Sequence, residues 1–387
     1  MVSISFRARA ETPPREPAAA RAAPCPKRAR GDAPSAGDPT PAPGARRLAS
    51  LALSLFALAG CGRDSGAGDT QVDAAAAQGP GRAIALADGR EIRVRSAARR
   101  VFPASASVVD YLVDLTTPSR VAALPEQALD YTRLPAEPEV AAGWRGVPRF
   151  SAFLAETVVA AAPDLVLVEP SQDRGTCERL RAAGFELVEL PEIRGWTDAR
   201  ATLLAVGAIL GEEPRAKGLV EALDRRVERL AASGPARAGL RVLCYSNFGG
   251  TGWSAGTETT IHAEIVLAGL ANVVADAGRV GHVQLTFEEL IALDPDLILV
   301  SAPLPSGGTT QGDPGGASER VLRSEPSLQR LSALREGRIL ALPPSLYATS
   351  SHHLVDGAEE LARRVDELLA AGRVAKPEPK ARGAERR

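Results

Sequence analysis

Cysteine, histidine, methionine and aromatic residues are all scarce in this chain of 387 residues, which has four Cys, four His, one Met and 4% Phe, Trp and Tyr. Each scarcity excludes something. Two of the cysteines, Cys25 and Cys61, lie before and at the end of the one long apolar run, leaving Cys177 and Cys244 for the rest of the chain. No CxxC or Cys/His cluster is present to hold structural zinc. A Cys177–Cys244 bridge would need Cα atoms within about 7 Å, and the two fall in different predicted halves, so isolated buried thiols are expected. Capture of a bare metal ion would need several His and carboxylates converging, and His-rich loops are lacking. The formal net charge of −1 gives no global field toward nucleic acid or an acidic membrane surface. No P-loop is present, so any energy for work comes from a partner.

Long hydrophobic runs are also lacking, with one informative exception. Arg46-Arg47 precede an apolar stretch from Leu48 to Ala59, with no charge until Arg63. A bilayer span needs roughly 20 apolar residues, so this shorter run reads as an export signal. It ends Leu58-Ala59-Gly60-Cys61, which resembles the bacterial lipobox. That resemblance implies diacylation of Cys61, which becomes the mature N-terminus and holds the protein on a membrane face. Gly62 follows the cysteine, so the inner- and outer-membrane faces both stay open. Residues 1–44, rich in Ala, Pro and Arg, cannot form a core and leave with the signal in residues 1–61. Met1 is the only methionine, so a later start would use another codon. Residues 62–81 lack an apolar period and read as a tether.

What is present is alternation. Two short alternating segments flank Asp88-Gly89, a strong hairpin signal. Apolar strands then alternate with amphipathic helices, which predicts an α/β fold with parallel sheets covered on both faces. The expected architecture is two doubly wound α/β lobes joined by a single long backbone helix. Residues 82–197 form the first lobe, 198–235 the connecting helices, 236–371 the second lobe and 372–387 a charged, disordered tail. The connecting helix opens at Pro214, carries Leu219, Val220, Leu223, Val227 and Leu230 on one face, and closes at Gly234-Pro235.

The clearest internal signal is a repeat. Glu156-Thr-Val-Val-Ala-Ala-Ala-Pro163-Asp164-Leu-Val-Leu-Val in the first half matches Glu288-Glu-Leu-Ile-Ala-Leu-Asp-Pro295-Asp296-Leu-Ile-Leu-Val in the second. In each, an acid in the first helical turn suits the helix dipole, Pro-Asp ends the helix and a strand follows. Thr286 and Glu289 form a capping box.

Together with Arg99-Arg-Val-Phe-Pro-Ala-Ser-Ala-Ser, Leu267-Ala-Gly-Leu-Ala-Asn272, Leu334-Arg-Glu-Gly-Arg-Ile339 and a long last helix, these units give the resemblance. Over roughly residues 82–371 the chain resembles the periplasmic solute-binding proteins for ferric siderophores, haem and cobalamin. That resemblance implies a monomer that captures a metal chelate between two lobes and delivers it to an ABC permease and its ATPase. It also implies that Glu156 and Glu288 dock on arginines of the permease.

Ligands of doubly wound sheets sit beyond the carboxyl ends of strands. The loops there hold Tyr131, Trp144, Arg145, Phe248, Trp253, Tyr347, His352 and His353, the candidate ligand contacts. So many aromatics from a small pool favour a flat or conjugated ligand. Arg145 and Arg149 could pair with an anionic chelate. Either histidine could ligate haem iron or cobalt axially, or open a helix and bond the ligand's periphery. No metal held directly by the protein and no resident cofactor are expected. Gly252-Trp-Ser254-Ala-Gly256 fits the GxSxG pattern, with Asp296 and His352 following in chain order, so an esterase is the rival reading. A ligand sensor without transport is the third.

Overall fold

The computed structural model describes residues 81–134, 138–247, 252–304 and 316–375. Cys61, the tether before Gly81, Phe248 and the tail beyond residue 375 lie outside the described residues. The chain enters on an antiparallel hairpin, Arg82–Ala85 with Glu91–Val94, in register from Arg82 opposite Val94 to Ala85 opposite Glu91. Gly89 takes φ +82° at the turn, where an L side chain would be strained.

The α/β expectation holds. In the first half, Val101–Pro103, Leu165–Val168 and Leu187–Glu189 form a parallel sheet with Leu165–Val168 in the centre, all four of its residues buried. Val121 makes only an isolated bridge to Val101, and a short strand, Leu124–Pro125, pairs with Arg149–Phe150. Pro125 has no N–H to extend the ladder. In the second half, parallel strands run in the order Ala271–Asn272, Arg241–Cys244, Leu297–Ser301, Ile339–Leu342. A second, antiparallel sheet there was read from sequence as a Gly-rich loop: Gly252–Ala255 lies between His282–Leu285 and Ser246–Asn247. Its glycines serve close approach, since a Cβ on Gly252 would lie 2.4 Å from the Tyr245 ring and one on Gly256 1.9 Å from the Arg279 carbonyl oxygen.

Among the described residues no sheet joins strands from both sides of the helix Glu213–Ser233. That helix has 21 residues, about 30 Å at 1.5 Å per residue. Ala216, Val220, Leu223 and Leu230 form its buried stripe. It packs on the preceding helix, Trp196–Leu210, so tightly that a Cβ on Gly207 would lie 2.3 Å from that of Ala216. One apolar core runs through both halves, and each half has a smaller core of its own.

The repeat now has a structural reason. Helices Ala155–Ala161 and Phe287–Leu293 each end in a left-handed residue, Ala162 and Asp294. The Pro-Asp carboxylate then grips the start of the neighbouring strand. Asp164 accepts from the backbone N–H groups of Arg99 and Arg100 at 2.8 and 2.9 Å, and Asp296 accepts from that of Arg241 at 2.9 Å. The same anchor sets strand register twice. Thr286 and Glu289 make the expected reciprocal capping bonds.

Candidate functional site

Three cavities meet in a cleft at the carboxyl ends of the strands, where open α/β sheets bind ligands. The first, about 530 Å³, lies on the first half and is walled by Ser105, Ser107, Gln127, Tyr131, Phe150 and Phe153. The second, about 310 Å³, lies on the second half and is walled by Ser246, Trp253, His282 and Tyr347. The third, about 350 Å³, takes Glu169 and Glu192 from the first half and Glu258, Thr260 and His282 from the second. Ser171 borders the first and third and His282 the second and third, so the three adjoin one another.

The aromatic walls are held by packing. Phe102, fully buried in its strand, stacks on Phe150 with centroids 4.6 Å apart and touches Phe153 at 6.3 Å. Across the cleft the Tyr347 and Ser246 hydroxyls are 3.1 Å apart. The loop after Tyr347 is strained, with Ala348 at φ +57°, and is tied down from beneath. Glu264, fully buried on helix Thr260–Leu267, accepts from the Ala348 N–H at 3.4 Å. Burial pushes the Glu264 carboxyl well above the usual carboxylate range, against the hydrogen bonds from the Ala348 and Thr349 backbone.

Of the residues singled out from sequence, Tyr131, Trp253 and Tyr347 wall the cleft. Trp144 does not. It is buried in the core that spans both halves, and its role is packing. Arg145, exposed at the end of helix Pro138–Trp144, lines none of the three cavities. Glu169 comes from the loop after strand Leu165–Val168, one of the strand-end loops where a ligand is expected, whereas His282 is not marked by the sequence. His282 follows Gly281, at φ +70°, into a strand whose partner is nearly 30 residues away, and no local pattern marks that pairing.

His352 and His353 are a correction. Both are buried, line none of the three cavities, and join the two halves instead. His352 Nε2 lies 2.7 Å from Asp114 of helix Ala106–Leu115, and His353 Nε2 lies 3.4 Å from the same carboxylate. His353 Nδ1 also bonds Asp356, and Ser351 donates to Asp110 at 2.9 Å. From the long helix, Arg226 pairs with Asp356 and, at 2.7 Å, with Glu359. Burial opposes charge on His353, but Asp110, Asp356 and Asp114 outweigh it and push its pKa up to about 9. Burial pushes Asp110 up to about 6 against the pull of His353 and Ser351. The ligating atoms of Asp114, His352 and His353 lie within 4.8 Å of one another. They bond to one another, and the trio reads as a charged hydrogen-bonded latch.

The esterase constellation is not assembled. Ser254 is buried on a strand, and its hydroxyl donates to the Cys244 carbonyl at 2.6 Å. His352 is engaged with Asp114, and Asp296 with Arg241. Cys177 and Cys244 are free and buried, as expected. Glu156 and Glu288 both sit exposed in the first turns of their helices. Two exposed apolar side chains, Leu154 and Val159, flank Glu156.

Known proteins agree with this architecture. The chain is 32% identical over 148 residues to a cobalamin-binding protein of Halobacterium salinarum, covering 37% of this chain and 39% of that protein. It is 21% identical over 216 residues to the uncharacterised ABC transporter substrate-binding lipoprotein YvrC of Bacillus subtilis, covering 54% of this chain and 64% of YvrC. The chain thus spans less than two thirds of the curated relatives it matches. An ABC-type Fe3+-hydroxamate transport system structure from Saccharomonospora viridis superposes with TM-score 0.60 at 22% identity, covering 73% of this chain and 98% of the other, and so shares the fold. Residues 117–346 match the sequence profile described as periplasmic binding protein, a profile of binding proteins and not of enzymes. This match covers more than half of the sequence, and the chain belongs to the periplasmic binding protein family.

Proposed function

We propose that the protein is the exported, lipid-anchored solute-binding component of an ABC importer and carries a metal chelate of the corrinoid, ferric siderophore or haem type in its cleft. The observation that carries this reading is the cleft itself, a row of adjoining cavities lined from the first half by Tyr131 and Phe150 and from the second by Trp253 and Tyr347. Aromatic faces with a few polar groups suit a large conjugated ligand. The likeness to a cobalamin-binding protein supports the cargo class, and the likeness to a substrate-binding lipoprotein supports the anchor at Cys61. Glu156 and Glu288, one per repeat, are the proposed contacts to the permease.

Titration followed by tryptophan fluorescence tests the cargo. Of the three tryptophans, Trp144 is buried in the core, Trp196 donates to Asp224 at 3.0 Å, and Trp253 faces the cleft. A bound chelate is expected to quench Trp253 most, so Trp253→Phe removes most of the signal. Tyr131→Ala is expected to weaken binding roughly tenfold or more, the worth of about 1.5–3 kcal/mol of buried aromatic surface. No quenching by any chelate class would sink the cargo assignment. For the anchor, Cys61→Ala should abolish incorporation of labelled palmitate, and continued labelling would remove Cys61 as the lipid site.

A further inference from the structure

The cleft carries three glutamates and one histidine, His282. Glu169, Glu192 and Glu258 line the cavity that bridges the halves, whereas among the described residues no Lys or Arg lines any of the three cavities. Segments 248–251 and 305–315 contain no Lys or Arg in their sequence. Arg279 is engaged elsewhere, 2.8 Å from Glu289, and Arg194 lies 3.5 Å from Glu192, which offsets that one acid and leaves Glu169 and Glu258. Arg145 and Arg149, the cations that the sequence offers to an anionic ligand, are not among the residues that line the cavities.

Glu169 sits where strand Leu165–Val168 opens into the cleft, with its carboxyl bonded to the Ser105 and Ser107 side chains. Burial pushes this carboxyl up, against those two hydrogen bonds. Around it the wall is made of hydroxyls and amides, Ser105, Ser107, Gln127, Ser151, Ser171 and Gln172. Such groups both donate and accept, so they match amides, which do the same, and can donate to the oxygens of a metal-bound hydroxamate, which accept.

We propose that this cleft selects a metal chelate without net negative charge, rimmed by amide or hydroxamate groups, and rejects chelates that present carboxylates or catecholates. The inference rests on the chelate-carrier reading above and narrows it. An anionic rim would bring like charges against the partly desolvated Glu169, with no Lys or Arg among the described lining residues to offset them, whereas an amide rim completes hydrogen bonds already on offer.

The test is a set of dissociation constants for the mature protein with cyanocobalamin, a ferric trihydroxamate, haemin and a ferric tricatecholate, all in the same buffer. One of the two uncharged chelates is expected to bind at least about tenfold more tightly than either anionic one. Replacing Glu169, Glu192 and Glu258 together with Gln should shrink that gap by improving the anionic chelates. Haemin or the tricatecholate binding as tightly as both uncharged chelates, or a gap unchanged in the triple variant, would overturn the charge argument while leaving the carrier reading intact. Binding of none of the four contradicts the carrier reading, and this inference with it.

Discussion

The double charge reversal Glu156→Lys with Glu288→Lys is expected to abolish importer-dependent uptake while leaving ligand affinity within about twofold of wild type. Both side chains are exposed, and neither lines the cleft cavities. An acid in the first turn of a helix is worth about 0.3–1 kcal/mol through the dipole, so reversal leaves the fold standing. At a docking surface lined by arginine, the same reversal places like charges together at a cost of several kcal/mol, enough to lower productive encounter by a thousandfold or more. Each single reversal should give an intermediate defect. Uptake of a labelled chelate by cells, set beside the dissociation constant of the purified variant, separates docking from binding. Lost affinity in the variant would refute the docking role, and full uptake would too.

The second large effect concerns the latch. His353→Ala removes the cation that Asp110, Asp114 and Asp356 share in the buried junction between helix Ala106–Leu115 and helix Leu354–Ala370. Breaking a buried ion pair by removing one partner costs about 3–5 kcal/mol. The pH dependence has a definite sign. His353 holds its proton more tightly folded, at about 9, than unfolded, near its ordinary 6.5. Its stabilisation is therefore fully present below pH 6.5 and lost as pH rises through 9, about 3 kcal/mol at 1.36 kcal/mol per unit. Asp110, pushed up to about 6, acts in the same direction but over a lower window, from its ordinary 3.8 to 6. Urea midpoints at pH 6.5 and 9.0 should fall for wild type and stay nearly level, at a lower value, for His353→Ala. A wild-type midpoint that does not move between those pH values would remove the latch.

Features written in neighbouring residues were legible in the sequence. The Asp88-Gly89 turn, the Pro214 helix start, the Thr286/Glu289 capping box and the duplicated Pro-Asp units each depend on residues a few positions apart. Strand ends and aromatic loops are local too, and from them the sequence picks out Tyr131, Trp253 and Tyr347, which line the cleft. What was missed depends on distant pairing. His352 and Asp114 are 238 positions apart, so the histidines looked free for a ligand when they are bound to a carboxylate of the other half. Trp144 was read as a loop aromatic because nothing beside it shows the core that covers it. Gly252 and Gly256 suggested a loop, yet their missing side chains let a strand pass the Tyr245 ring and the Arg279 backbone.

The central claim is that a metal chelate sits between the two aromatic walls. Anomalous diffraction at the metal edge, from crystals of the protein grown with a cobalt corrinoid or a ferric trihydroxamate, tests it most directly. The account predicts one strong peak in the cleft between Tyr131 and Trp253. A peak at Asp114, His352 and His353 with an empty cleft, or no peak at all, would contradict it.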